Sequence, residues 1–152
     1  MGMHGQEQTT IKAPPDRVWA LVSDVTRIGE WSPETYEAAW IEPATGPAPG
    51  ARFKGRNRRG MFRWSTKCTV TGCEAGRDFT FVVGTPEKPK TRWSYQFAPA
   101  AGEATEVTES WESLRYGALF KLFAPEAKAT ATLNEGARAT LAKLKATAEA
   151  QD

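Results

Sequence analysis

The chain has 152 residues, about the size of one domain. Its six Trp, seven Phe and three Tyr are a heavy aromatic load, which could either fill a core or line a hollow. Twenty Lys and Arg against eighteen Asp and Glu leave a net charge of +2, far from the concentrated basicity of a typical nucleic-acid-binding domain. We therefore expect a single domain, residues 1–152, that does not bind nucleic acid.

The N-terminal segment MGMHGQEQTT has no apolar core, and no window approaches the roughly 20 apolar residues of a membrane span. We predict a flexible tail at residues 1–6, no membrane insertion and a cytoplasmic location. Cys68 and Cys73 would point to opposite faces of a strand, and the only histidine, His4, lies in the tail. A disulfide, a metal site, a cofactor and a histidine-dependent triad are not expected.

Two short helices are predicted over residues 14–31, after a short extended opening. Pro14 and Pro15 suit the first turn of a helix, where a missing amide proton costs nothing. Starting at Val18, apolar residues recur at i, i+3, i+4 and i+7, which is typical of one buried helix face. A second helical turn follows directly, and Pro33 stops it.

Residues 35–113 contain several runs with period-two patterning, separated by short Gly- and Pro-rich spacers. Because these spacers are too short for helical crossovers, we predict an antiparallel meander of about six strands, or seven with the opening one. The alternation makes one sheet face aromatic and the other polar. The residues predicted to share the inward face include Phe62, Trp64, Cys68, Val70, Phe79, Phe81, Trp93, Tyr95, Phe97, Val107, Glu109 and Trp111.

A C-terminal helical segment is predicted over residues 118–149, where the sequence is rich in alanine. Its apolar residues Leu133, Ala137, Leu141, Leu144 and Ala148 form one stripe. We expect this stripe to lie against the aromatic face of the sheet. Gly136 sits beside the stripe, where it would leave space rather than fill it.

This order of elements resembles the START-like (SRPBCC) superfamily, in particular its polyketide cyclase/dehydrase and lipid transport branch. The resemblance runs from about Gln8 to Ala148 and is carried by IKAPPDRVWALVSDVTRIGEWSPE, PGARFKGRNRRGMFRWSTKCTV, TEVTESWE and LNEGARATLAKLKA. It implies the α+β helix-grip fold, in which a curved antiparallel sheet of about seven strands wraps around a long C-terminal helix. Two short helices between strands 1 and 2 close the narrow end.

The resemblance also implies a cavity between sheet and helix that takes apolar or amphipathic small molecules. Because members range from lipid carriers and hormone receptors to aromatic cyclases and chaperone-activating domains, the fold alone does not choose the function. The aromatic residues could be ordinary core one by one, but as a set they fit a cavity lining better. The predicted ligand-binding residues are Trp31, Phe53, Asn57, Trp64, Phe81, Trp93, Tyr95, Phe97, Glu109, Trp111, Phe120, Phe123 and Leu133.

Glu109 is the sharpest candidate, because an inward carboxylate without a partner is energetically expensive. It would need a raised pKa, a cationic partner or a ligand hydroxyl; alternatively, a bulge turns it outward, or it pairs with an arginine at the cavity mouth. The Tyr95 hydroxyl could reach a bound carbonyl. Either residue is a candidate general acid or base.

The run FKGRNRRGMFRW mixes basic and aromatic residues, as single-strand nucleic-acid sites do. Its alternation instead favours a solvated basic outer face, with Phe53 and Asn57 pointing inward, where Asn57 could hydrogen-bond a ligand. Trp31, which ends the second short helix, is interpreted either as a plug for the closed end or as a gate over the cavity.

The leading hypothesis is a protein that binds or transports a hydrophobic small molecule, such as a lipid, a polyketide or another aromatic compound. The first alternative is a polyketide cyclase/aromatase-like enzyme that uses Glu109 or Tyr95. The second is a protein-interaction module of the chaperone-activator type, whose outer sheet face, including Arg56 and Arg58, would contact a partner. A homodimer and an unidentified partner protein both remain open.

Overall fold

The computed structural model describes residues 3–114 and 126–150, except for the side chains of 126–129. It confirms the predicted α+β helix-grip architecture, with a curved seven-stranded sheet, two short helices and a C-terminal helix. In chain order the elements are β1 (His4–Ile11), α1 (Pro15–Ser23), a 3₁₀ helix (Val25–Glu30), β2 (Thr35–Ile41), β3 (Arg52–Arg59), β4 (Phe62–Glu74), β5 (Asp78–Thr85), β6 (Lys88–Ala100), β7 (Ala104–Ser113) and α2 (Glu126–Ala150).

The sheet is an antiparallel meander from β2 to β7, and β1 completes it by pairing with β7, so the strand order is β1-β7-β6-β5-β4-β3-β2. The prediction of a flexible tail is wrong for residues 3–6. His4 pairs with Glu112 in the β1–β7 ladder, and the Ser113 amide donates a 2.7 Å hydrogen bond to the Met3 carbonyl. The full length of β7 offers backbone groups to β1, which therefore extends further towards the N-terminus than its sequence pattern indicates.

Helix α1 begins after Pro14 and buries the predicted apolar stripe, including Val18 and Leu21. The Trp19 indole Nε1–H donates a 2.8 Å hydrogen bond to the Asp78 carbonyl, which ties the helix to the start of β5. Asp24 ends α1 and begins the 3₁₀ helix, since its Oδ1 accepts a 3.2 Å hydrogen bond from the Thr26 amide. Helix α1 is therefore fixed over one end of the sheet.

Helix α2 lies across the concave side of the sheet, against β1 and β7. The stripe residues Ala137, Leu141, Leu144 and Ala148 are buried, as alternating apolar and polar helix faces require. The predicted helical segment 118–149 is described from Glu126 onwards, and its first residues lie outside the described part of the chain. No helix in the described ranges is both long and apolar enough to cross a membrane.

The two halves of the sheet–helix interface are filled differently. Beneath α1 and the C-terminal half of α2, side chains such as Ile11, Phe79, Val107 and Leu144 are fully buried and form a continuous core. Towards the N-terminal half of α2, this packing gives way to a hollow.

Candidate ligand-binding cavity

A cavity of about 820 Å³ lies between the N-terminal half of α2, the inner face of the sheet and the end of the 3₁₀ helix. Its volume falls within the range of roughly 300 to 1,000 Å³ that is usual for small-molecule sites. Most of the ligand-binding residues predicted from sequence are brought together on its wall. They are Trp31, Phe53, Asn57, Trp64, Phe81, Trp93, Tyr95, Glu109 and Leu133.

Two predicted lining residues lie elsewhere. Phe97 points inward, but it belongs to the solid core at the closed end, where it faces Val107 across the β6–β7 ladder. Trp111 is buried between β1 and α2, and its indole Nε1–H donates a 2.9 Å hydrogen bond to Asn134 Oδ1. Alternation identifies the face of a strand but not the position along that face at which a cavity opens. Phe120 and Phe123 lie outside the described residues.

Phe62 also differs from its predicted position. The strand alternation places it on the inward face. Its side chain is 79% exposed, and it lies at the end of the β3–β4 hairpin, where it pairs with Arg59. The inward pattern of β4 is kept further along the strand, where Cys68 and Val70 are buried. The exposed hairpin tip is therefore a separate feature of the surface.

Glu109 is buried on the cavity wall with only 2% of its surface exposed. It lies directly opposite Tyr95 in an unbroken β6–β7 register, and the Tyr95 hydroxyl donates a 2.8 Å hydrogen bond to Glu109 Oε2. The inward orientation is thus found, the β6–β7 register shows no bulge at Glu109, and no arginine of the described ranges pairs with it. Glu109 Oε1 makes no hydrogen bond within the described residues.

Burial raises the pKa of Glu109 to about 8, and the hydrogen bond from Tyr95 opposes part of this rise. At neutral pH the carboxyl is therefore mostly protonated. Because Oε2 already accepts from Tyr95, Oε1 is the carboxyl oxygen that is left to carry the proton. Burial and the neighbouring Glu109 hold the pKa of Tyr95 well above its ordinary value, so the phenol stays protonated.

Cys68 is the thiol on the cavity wall. Burial raises its pKa to about 12, so it remains a thiol at neutral pH. A thiol of this kind is a poor nucleophile, because the thiolate is the reactive form. Cys68 therefore contributes a neutral thiol to the cavity wall.

Asn57 is buried and uses both ends of its amide inside the protein. Its Oδ1 accepts a 2.6 Å hydrogen bond from the Thr35 hydroxyl, and its Nδ2 donates a 3.2 Å hydrogen bond to Thr66 Oγ1. These bonds join β2, β3 and β4 at the cavity wall. Asn57 keeps one further N–H for a ligand, but its first role is to hold three strands together. No sequence pattern pointed to Thr35, whereas Thr66 follows from the same strand alternation as Trp64.

Small residues on the wall create the space. Gly136 of α2 faces the cavity, and the nearest atom to a Cβ built there is the Pro33 Cγ, at 3.9 Å. A larger side chain at this position would extend into the hollow. Gly55 on β3 lies opposite, where a Cβ would already touch Thr35 and Thr66 at 3.4 Å. The predicted role of Gly136 in leaving space fits this geometry.

One end of the cavity reaches solvent. Its rim includes Arg58, Arg59 and Gly60 from the β3–β4 hairpin, and an ion pair of 2.9 Å joins Arg59 to Glu34 across the mouth. Trp31 stands further inside, with 2% of its surface exposed, where it packs with the core and forms part of the wall. Its burial agrees with the packing part of the plug interpretation, but its place on the cavity wall is not at the closed end.

Seven antiparallel strands, a long C-terminal helix and a cavity enclosed between them define a START-like helix-grip protein. A family model described as "Polyketide cyclase / dehydrase and lipid transport" matches residues 3–149. The chain belongs to this family. Among curated proteins, none matches it.

Solved structures show the same fold. The Polyketide_cyc-like protein Cgl2372 of Corynebacterium glutamicum is 33% identical, with a TM-score of 0.57, and the match covers 98% of this chain and 86% of that one. A START superfamily protein of Mycobacterium smegmatis is 13% identical, with a TM-score of 0.75 and coverage of 99% and 100%. The di-domain ARO/CYC StfQ of the steffimycin biosynthetic pathway is 12% identical, with a TM-score of 0.79, and the match covers 99% of this chain and 52% of StfQ.

Proposed function

We propose that the protein binds a hydrophobic small molecule that carries at least one hydrogen-bonding group. The observation that carries this proposal is that Oε1 of buried Glu109, on the wall of a largely apolar cavity, has no hydrogen-bond partner among the described residues. A buried polar atom left without a partner costs about 1–3 kcal/mol. A ligand carbonyl that accepts the Glu109 proton would remove this cost and fix the ligand's orientation.

Affinity would come mainly from the aromatic wall. Burying about 200 Å² of apolar ligand surface contributes about 5 kcal/mol at about 25 cal/mol per Å². Wide, rigid rings such as Trp64, Phe81 and Trp93 offer flat surfaces to an aromatic or polycyclic ligand. The family description and the ARO/CYC likeness support the same ligand classes, namely a lipid, a polyketide or another aromatic compound.

Gly136 offers a direct test of binding in the cavity. We expect Gly136→Leu to weaken binding of a hydrophobic fluorescent probe with a carbonyl group, such as Nile red, by at least about tenfold, because the side chain occupies ligand volume. Gly136→Ala is the matched control, since a methyl group has room there. Equal probe affinity in both variants and the original protein would contradict the proposal. Native mass spectrometry of protein purified from its own cells would identify a natural ligand.

A polyketide cyclase-like reaction is the second candidate, and the buried Tyr95–Glu109 pair favours it. A general acid works best when its pKa lies near the working pH, and burial brings the pKa of Glu109 to about 8. Glu109 would donate its Oε1 proton to a carbonyl oxygen while Tyr95 holds the carboxyl in place. An enzyme would lose turnover in Glu109→Gln by at least about a hundredfold while still binding substrate. A carrier would show no turnover in any form.

A further inference from the structure

The tip of the β3–β4 hairpin combines exposed apolar side chains with clustered positive charge. Met61 is 98% exposed, Phe62 79% and Trp64 40%, and these are the exposed large hydrophobic residues of the described chain. Monomeric soluble domains seldom group such residues at one protruding point without a binding role. We propose that this tip docks onto a lipid surface that carries anionic headgroups.

The charge around the tip supports an anionic partner. The hairpin segment 52–67 holds seven of the twenty Lys and Arg of the chain and no Asp or Glu. The remainder of the chain thus has thirteen basic residues against all eighteen acidic ones. Positive charge is therefore concentrated on one protruding element, as electrostatic attraction to a charged surface requires.

The arginines nearest the tip are held in place. The Arg58 and Arg63 guanidinium groups lie over the Tyr36 ring, at 5.1 and 5.8 Å from its centre, and Arg59 pairs with Glu34. All three arginines are nevertheless exposed. Stacking on an aromatic ring leaves the outer edge of a guanidinium available for phosphate oxygens.

A bilayer fits these features better than an acidic protein does. Met61 and Phe62 project from a narrow tip, so a protein partner would have to supply a matching apolar socket. The headgroup region of a bilayer accepts protruding apolar side chains at a shallow depth while basic residues contact phosphates. Trp64 lies half-way back along the hairpin, a position that suits the membrane–water interface, where Trp side chains are enriched.

Docking at this tip would bring the cavity mouth to the lipid, because Arg58, Arg59 and Gly60 belong both to the hairpin and to the cavity rim. That consequence rests on the proposed function, whereas docking itself does not. The cavity variant Gly136→Leu separates the two proposals: it should bind vesicles as the original protein does, even where it has lost the Nile red probe.

The test is co-sedimentation of the full chain with vesicles of phosphatidylcholine, alone or mixed with phosphatidylglycerol. We expect binding to the mixed vesicles, little to the neutral ones, and release by high salt. Each basic residue near an anionic surface is worth about fivefold in affinity, so Arg59→Gln with Arg63→Gln should weaken binding by about 25-fold. Met61→Ser with Phe62→Ser should cost at least about tenfold.

Two control variants test whether vesicle binding depends on the hairpin tip. Arg77→Gln with Lys143→Gln removes the same charge from exposed sites outside the hairpin, and Met61→Leu with Phe62→Leu keeps the apolar character. Both controls should bind mixed vesicles as the original protein does. Equal binding to neutral and mixed vesicles, or equal losses in control and tip variants, would overturn the proposal. Retention on immobilised polyglutamate without any vesicle binding would assign the tip to an acidic protein instead, which also overturns it.

Discussion

The two ends of the sheet–helix interface share a sequence pattern but differ in what they build. At the closed end, Phe97 on β6 meets Val107 across the ladder, and Leu144 of α2 is fully buried. At the open end, two residues earlier on β6, Tyr95 faces a cavity of about 820 Å³, and α2 presents Gly136. Two inward-facing rings of the same strand therefore lie in different surroundings, one in solid core and the other on a cavity wall.

Helix α1 contributes to this difference. It packs over β5, β6 and β7 and contacts α2, so the closed end is covered by two helices. The open end has the last turn of the 3₁₀ helix with Trp31 and the thinner, glycine-containing part of α2. Packing density at the closed end can therefore stabilise the fold, while the open end is free to hold a ligand.

Buried polar groups also differ between the closed end and the open end in whether they find a hydrogen-bond partner. At the closed end the Thr105 hydroxyl is fully buried and donates a 2.7 Å hydrogen bond to the Ala13 carbonyl. At the open end Glu109 keeps one carboxyl oxygen without a hydrogen bond to any described residue. An unsatisfied group that costs stability is typical of a position kept for function.

The largest expected effect compares two leucines on α2. Leu144→Ala should lower the free energy of unfolding by about 2–5 kcal/mol, because it leaves a cavity in a closely packed core. Leu133→Ala should cost less than about 1.5 kcal/mol, since Leu133 is only partly buried and already borders open space. Urea denaturation followed by circular dichroism measures both. A similar loss of unfolding free energy in the two variants would mean that the two ends of the interface are packed alike.

The second prediction concerns the pH dependence of stability. Burial raises the pKa of Glu109 to about 8, above its value of about 4.3 in an unfolded chain. The folded protein therefore holds this proton more tightly than the unfolded chain does. The stability that the proton contributes is complete below about pH 4 and is lost as the pH rises towards about 8.

Glu109→Gln removes this titration while keeping an acceptor for the Tyr95 hydroxyl. Between about pH 5 and pH 8, the unfolding free energy of the original protein should fall by on the order of 3 kcal/mol more than that of the variant. Denaturation curves across this range give the difference, and Glu112→Gln, on the exposed face of β7, is the control. Parallel curves for the original protein and Glu109→Gln would mean that Glu109 is ionised in the fold.

The fold was largely predictable from sequence because it depends on local periodicity. Alternation in the strands and the stripe on α2 established the inward face, and Glu109 was expected there because it stands between Val107 and Trp111. The position of the cavity along that face was not predictable. Phe97 follows the same alternation as Tyr95, and only the tertiary placement of α1 and α2 decides which of the two meets open space.

The exposure of the hairpin tip was not predictable from sequence for a related reason. Alternation predicts that Phe62 points inward together with Cys68, but it carries no information about which part of the inward face other elements cover. The Asn57 hydrogen bonds were missed because Thr35 lies 22 residues away along the chain. Long-range placement of this kind needs the assembled sheet.

The smallest expected effect is at the mouth of the cavity, where Arg59 and Glu34 form a 2.9 Å ion pair with side chains 67% and 36% exposed. Exposed pairs contribute about 0–1 kcal/mol because water and salt screen them. Arg59→Gln should therefore change the unfolding free energy by less than about 0.5 kcal/mol at physiological salt. A loss above about 1 kcal/mol would mean that the rim supports the fold as the closed end does. A negligible loss would mean that this rim pair, unlike the buried side chains of the closed end, does not contribute to the stability of the fold.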